Sequence, residues 1–233
     1  MQPVTGLDYG VLRFTMSDAG WEFFLPFLAA AVAAYLCGCF NGAVIVSKYI
    51  LRNDVRNHGS GNAGLTNFHR TFGGGLTAVV ILCDAIKAVA ALQIGVLIFS
   101  GCFSERSGML LFAQYWAALF CLLGHMFPCM FEFKGGKGIL SGGMIAIMID
   151  WRIALVVWGG FLILVMLTRY VSLGSVWAGS SFPFISWYCY PDPVIVVLAF
   201  LCGGLVVWKH RGNIRRLLNG TESKLKFRSG GKK

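Results

Sequence analysis

The sequence predicts an all-α integral membrane protein of seven transmembrane helices, amino terminus outside and carboxyl terminus in the cytoplasm. Three observations predict it. Of 233 residues, 57% are hydrophobic and 13% charged, about half the charge of a soluble domain, and mean hydropathy is +0.69. Seven apolar runs alternate with polar loops, and the basic residues gather on every second loop. A soluble domain of this length cannot hide so much apolar surface in one core. A soluble enzyme, a coiled coil and a disordered chain are therefore excluded.

A helix needs about 20 residues to cross about 30 Å of hydrocarbon. The first run, residues 23–46, is too long for the apolar part of a cleaved signal, and acidic Asp8 and Asp18 flank the first basic residue, Arg13. It is the first span. Residues 76–100 and 109–127 follow at full length. Residues 139–149 and 153–167 are short. Merging them would give six spans, but would sink Asp150 and Arg152 in hydrocarbon at about 2.5–3.5 kcal/mol per ion. Residues 171–190 and 194–208 complete the set.

Loop charge supports seven. One face then carries Lys48, Arg52, Arg56 and Arg70, next Lys134 and Lys137, next Arg169, and last the basic residues from Lys209 to Lys233, sixteen of the 20 in all. The other face carries Arg13, Arg106 and Arg152 against Asp8, Asp18, Glu22, Glu105, Asp150 and Asp192. The basic face is cytoplasmic. The chain reads as one membrane domain, 1–233, with an extracytoplasmic extension (1–20), a helical core (21–209) and a basic cytoplasmic tail (210–233). The eight Cys fall mostly inside apolar runs, without zinc spacing. They read as small buried hydrophobes, and neither a metal site nor a cofactor is expected. The net charge of +10 suits anionic lipid or substrate. No basic folded module stands outside the spans to bind nucleic acid.

With seven spans, every glycine-rich polar segment falls on the cytoplasmic face. The first runs from His58 to Arg70. Gly59, Gly61 and Gly64 permit positive φ and close approach to a ligand, and successive N–H groups in such turns form an anion nest. Ser60, Asn62, Thr66 and Asn67 add neutral donors, and Arg70 a planar cation for phosphate. A flexible linker is the bland alternative, but linkers seldom hold an Arg and two His among glycines. The second segment runs from Gly124 through His125 to Phe133-Lys134-Gly135-Gly136-Lys137-Gly138 and opens into the fourth span. Glycines and Lys at a helix amino terminus suit phosphate, although the spacing is not that of a Walker A loop. Boundary lysines are the alternative. In the third, Arg169, Ser172 and Ser175 would share one helix face. His210 and Asn213, also three apart, follow the last span. Asp84 and Lys87 stand one turn apart inside the second span, where they neutralise one another or support the site. The inventory implies a cytoplasmic-face site for a phosphorylated, partly lipid substrate, worked by cations and N–H nests rather than a metal.

These segments closely resemble the bacterial acyl-phosphate:glycerol-3-phosphate acyltransferase family (PlsY type). The matching stretches are 59–67 with Arg70, Asp84-x-x-Lys87, 124–128 with 133–138, 169–175, and 210–222 ending in Thr221-Glu222. They occur in order over about three-quarters of the chain. Leu65 and Ala88 depart from the pattern. The resemblance implies a seven-helix, metal-free enzyme of the bacterial cytoplasmic (inner) membrane, acting as a monomer. It would transfer a fatty acyl group from acyl phosphate to the sn-1 hydroxyl of glycerol 3-phosphate, giving lysophosphatidic acid and phosphate. Carried over, Ser60, Arg70, Lys137, Ser175, His210 and Asn213 surround glycerol 3-phosphate, while Gly61, Asn62 and Gly135–Gly138 cradle the acyl phosphate. Gly64, Asn67, Arg169 and Ser172 are expected to assist in substrate binding, with Asp84, Lys87 and His125 in support. An organophosphate transporter is the alternative, but the spans offer little polar path to the far side beyond Asp84, Lys87 and Gln93.

Overall fold

The computed structural model describes residues 21–103 and 107–225. The extension 1–20 and the end of the tail lie outside the described residues. Those described form helices and connecting turns, with no strand among them.

α1 (Trp21–Cys39) packs against α4 (Leu76–Cys102) and α5 (Ser107–Met126). Glycine brings α1 and α5 together closely. A Cβ at Gly38 would lie 2.9 Å from the Cys121 carbonyl carbon, and one at Gly124 would lie 2.9 Å from the Cys39 backbone nitrogen. Any side chain at either position would force the two backbones apart. α5 also meets α9 (Pro193–Lys209). α6 (Ile139–Ile149) leans on α4, and α7 (Trp151–Thr168) on α8 (Val171–Cys189), which reaches α9. Core side chains are mostly Ala, Leu and Phe, with the buried Tyr115 hydroxyl donating to Ser186 Oγ at 2.8 Å.

The seven predicted runs correspond to α1, α4, α5, α6, α7, α8 and α9, with one interruption. The first run breaks at Phe40, because Asn41 turns inward. Its Oδ1 accepts from the Val44 N–H, capping the short α2 (Gly42–Ile45), and its amide donates to the Ala63 carbonyl at 3.1 Å. A π-helical turn, Val46–Ile50, carries the chain onward. Asp150 separates α6 from α7, as its charge implies. It stands in extended conformation, caps α7, and pairs with Arg152 at 2.7 Å and the Tyr190 hydroxyl at 2.6 Å. These partners hold its carboxyl well below the usual range, the Arg152 hydrogen bond first among them.

Among the described residues, four stretches are long and apolar enough to cross a membrane: Phe24–Ile50, Leu76–Cys102, Gly108–Phe131 and Trp151–Thr168. A fifth arises if α9 and α10 (Arg211–Leu218), bent by 55°, count as one. The 11 residues of α6 rise about 17 Å, little more than half the hydrocarbon. α8 is long enough, but its serines and Pro183 dilute its apolarity.

Candidate active site

The first glycine-rich loop winds around one buried side chain. The Asn67 amide donates to the carbonyls of His58 (2.9 Å), Val55 (3.1 Å) and Asn62 (3.1 Å), and its Oδ1 accepts from the Ser60 N–H at 3.0 Å. A carboxamide supplies two N–H donors and an acceptor oxygen in one neutral group. The chain then enters α3 (Leu65–Phe72), whose N-cap is Gly64. Ser60, Asn62 and Arg70 are left facing a cavity of about 540 Å³.

The second loop forms the opposite wall. After a 3₁₀ turn at Cys129–Phe131, the Gly136 N–H donates to the His125 carbonyl at 3.1 Å. A Cβ on Gly136 would lie 2.6 Å from the Ala63 carbonyl oxygen, and one on Gly135 would lie 2.6 Å from Pro128. These two glycines therefore pack behind the wall and do not line the cavity. Lys137 and Gly138 do line it. Gly138, with φ of +80°, starts α6 and aims its amino terminus inward, giving the cavity free N–H groups and a positive dipole end.

The third wall comes from α8, α10 and the segment beyond. Lys137 Nζ donates to Asn213 Oδ1. The Asn213 amide donates to Ser172 Oγ (2.8 Å) and Glu222 (2.8 Å). Ser172 also donates to Glu222, and Arg216 pairs with it at 2.6 Å. The Ser175 hydroxyl donates to the Val171 carbonyl at 2.9 Å. Burial, then Arg216, push Lys137 down to about 8. Glu222 sits below its usual range. Burial alone would raise it, and the bonds from Ser172, Asn213 and Arg216 outweigh that. His210 stands at the bend between α9 and α10 and donates from Nδ1 to the Val206 carbonyl at 2.8 Å. Since a carbonyl only accepts, Nε2 is the free acceptor. Burial first, and Lys137 among the charges, push this imidazole down to about 4. It is neutral near pH 7.

Beneath lies the pair expected inside the second span. Lys87 Nζ bonds Asp84 Oδ1 at 2.7 Å and His125 Nδ1 at 2.6 Å, all three buried. The charges neutralise each other, and they fix His125, which with Asp84 lines the cavity floor.

Of the expected residues, the cavity brings together Ser60, Asn62, Gly64, Asn67, Arg70, Asp84, His125, Lys137, Gly138, Ser172, Ser175, His210 and Asn213. Lys87, Gly61, Gly135, Gly136 and Arg169 do not line it. The shared helix face expected for Arg169, Ser172 and Ser175 does not form. Arg169 takes a left-handed conformation (φ 63°) that ends α7, and α8 begins two residues later. Its carbonyl instead accepts from the Leu225 N–H at 2.7 Å. The inventory also passed over Trp158, Phe161, Arg216 and Glu222, which line the cavity. The first two give it an apolar flank on α7.

Comparison with known proteins agrees with this arrangement. The model of the family described as glycerol-3-phosphate acyltransferase matches residues 28–220. A protein of that name from Thermoanaerobacter pseudethanolicus is 35% identical over 195 residues, covering 84% of this chain and 93% of the relative. One from Mesorhizobium japonicum is 37% identical over 198 residues, covering 85% and 95%. The crystal structure of PlsY (YgiH), an integral membrane glycerol 3-phosphate acyltransferase, in its glycerol 3-phosphate form superposes with a TM-score of 0.75 at 31% identity, covering 86% of this chain and 96% of that one. Its lysophosphatidic acid form gives 0.71 at the same identity, covering 86% and 95%. With this sequence match and the same membrane fold, the chain belongs to the glycerol-3-phosphate acyltransferase family.

Proposed function

We propose that the protein transfers a fatty acyl group from acyl phosphate to the sn-1 hydroxyl of glycerol 3-phosphate, releasing lysophosphatidic acid and inorganic phosphate. The observation that carries this is the meeting of four distant segments around one cavity. It has Lys137, Arg70, Arg216 and a helix amino terminus on its polar side, and Trp158 and Phe161 on its apolar side. A multiply anionic ligand with a greasy tail fits both. The names of the relatives and the ligands of the two PlsY structures support the acceptor and product. The acyl phosphate donor rests on the motif resemblance.

Acyl phosphate is a mixed anhydride with a good leaving group, so the protein has mainly to bring two anions together and offset their repulsion. Arg70 and Lys137 supply that charge. The hydroxyl oxygen attacks the acyl carbon, the bond to the phosphate oxygen breaks, and phosphate departs. Loop N–H groups at Asn62 and Gly138 stabilise the oxyanion formed between these steps. The attacking hydroxyl gives its proton to substrate phosphate, because His210, held near 4, is a weak base. Its free Nε2 orients that hydroxyl instead. Ser60, Ser175 and Asn213 complete the glycerol 3-phosphate site, and Ser172, Asn67 and Arg169 keep the walls in place.

The same reading makes this a seven-span protein of the bacterial inner membrane, with α6 as the short fourth span. The cavity then faces the cytoplasm, where the loop cations cluster. The test is to give purified protein palmitoyl phosphate and glycerol 3-phosphate and follow phosphate and lysophosphatidic acid, with parallel runs on acyl-CoA and acyl-carrier protein. Equimolar products from acyl phosphate, lost in Arg70→Ala, are expected. No product with any donor from folded, monodisperse protein would overturn the proposal and point to transport.

A further inference from the structure

We propose that Cys39 and Cys129 are the site of a reversible disulfide, formed with a peroxide as oxidant, which ties the end of α1 to the turn ahead of the Lys137 loop and slows turnover. The bond stands on geometry alone; its effect on turnover rests on the acyltransferase reading above.

The two sulfurs, 90 residues apart in sequence, lie 3.8 Å from each other. Both thiols are free. Their exposures differ in the way a two-step oxidation needs. Cys129, at the head of the 3₁₀ turn, is exposed, whereas Cys39, the last residue of α1, is buried. A small oxidant reaches the first, and the second is already beside it. The remaining cysteines do not share this: Cys102 is exposed but no other sulfur is recorded against it, and Cys121 and Cys202 are buried.

The chemistry balances with one peroxide. The Cys129 thiol gives up its proton and takes an oxygen from hydrogen peroxide, giving a sulfenic acid and one water. Cys39 sulfur then attacks Cys129 sulfur. The S–S bond forms, the S–O bond breaks, and hydroxide leaves with the Cys39 thiol proton as a second water. Two thiols are oxidised by two electrons, and a dithiol returns them. On the cytoplasmic side such a bond is transient.

Closing the sulfurs from 3.8 Å to about 2 Å turns the two side chains, and what they do not absorb moves the turn or the end of α1. Both ends are tied to the cavity. Two residues past Cys39, Asn41 holds the Ala63 carbonyl in the first loop, and Arg56 holds the Phe131 carbonyl at 2.8 Å in the turn itself. Gly136, farther along, is wedged between His125 and that same Ala63. A displacement of this order therefore reaches both glycine-rich walls, where a 1 Å misplacement costs up to about 100-fold.

The experiment treats reduced, detergent-purified full chain with hydrogen peroxide, digests it without reductant, and maps linked peptides by mass spectrometry while acyl transfer is followed in parallel. A Cys39–Cys129 cross-link is expected, with transfer slowed about tenfold or more and restored by dithiothreitol. Cys129→Ser, at an exposed position, should keep the reduced rate and resist peroxide. Peroxide that leaves Cys129 unmodified, over-oxidised or linked elsewhere would overturn the disulfide. A cross-link that leaves the rate unchanged would overturn its control of turnover. Mapping does not depend on activity, so inactive reduced protein that still forms the link would count against the function and not the bond.

Discussion

Lys137 is a cation held where it is hard to be one. Burial and Arg216 bring it to about 8, so it is charged below that pH and loses its charge as pH rises through it. The free-enzyme profile of kcat/KM should therefore fall above about pH 8, and Lys137→Arg, whose guanidinium does not titrate there, should remove that limb while lowering the rate. His210 is the opposite case. Held near 4, it has no proton to gain over the working range. His210→Ala should lower single-turnover rates by about 10–100-fold without removing an ionisation near pH 6–7. Loss of such an ionisation with binding intact would make it the base. That Ser60, Arg70 and Lys137 would meet at one polar cavity was legible from residue type and spacing, because cations and turns among glycines have few other uses beside a membrane. Glu222 was not. A carboxylate has no evident reason to enter a phosphate site until the structure shows it gathering Ser172, Asn213 and Arg216. Nor does sequence reveal that Asn67 spends its amide on three carbonyls.

At the scale of elements, the glycine positions separate packing from decoration. Gly136→Ala drives a methyl into Ala63 and His125 and should cost about 1–3 kcal/mol in detergent unfolding along with most activity. Gly159→Ala and Gly204→Ala meet open space inside α7 and α9. Each should be neutral or stabilising by up to about 1 kcal/mol. The buried Asp84–Lys87–His125 cluster predicts a sign as well as a size. Lys87→Met leaves an unpaired carboxylate under α6 and should cost about 3–5 kcal/mol, whereas Asp84→Leu combined with Lys87→Met should cost less. Unfolding midpoints of the two variants check this. Helix existence was readable from apolar runs, as was the break at Asp150, where a charge pair forbids a merged span. The break at Asn41 was not, since its cause is a partner 22 residues away. The turn at Arg169 was hidden for a similar reason. A left-handed arginine leaves no mark in a hydropathy pattern.

For the whole molecule, the arrangement of charge predicts a direction in the membrane. Exposed Cys102, at the acidic end of α4, should react with an impermeant maleimide on intact cells, and exposed Cys129 only after permeabilisation. The reverse pattern would invert the topology. The walls of the cavity are also unequal. α1 and α5 are keyed together through Gly38 and Gly124, while only 17% of α7 is buried inside the molecule, although Trp158 and Phe161 on it flank the cavity. On the proposed function, a product made against that flank is born at the rim of the leaflet it will join. Its tail never has to be lifted through water, so the protein works as a shoreline, with soluble cargo landing on one side and lipid drifting off the other.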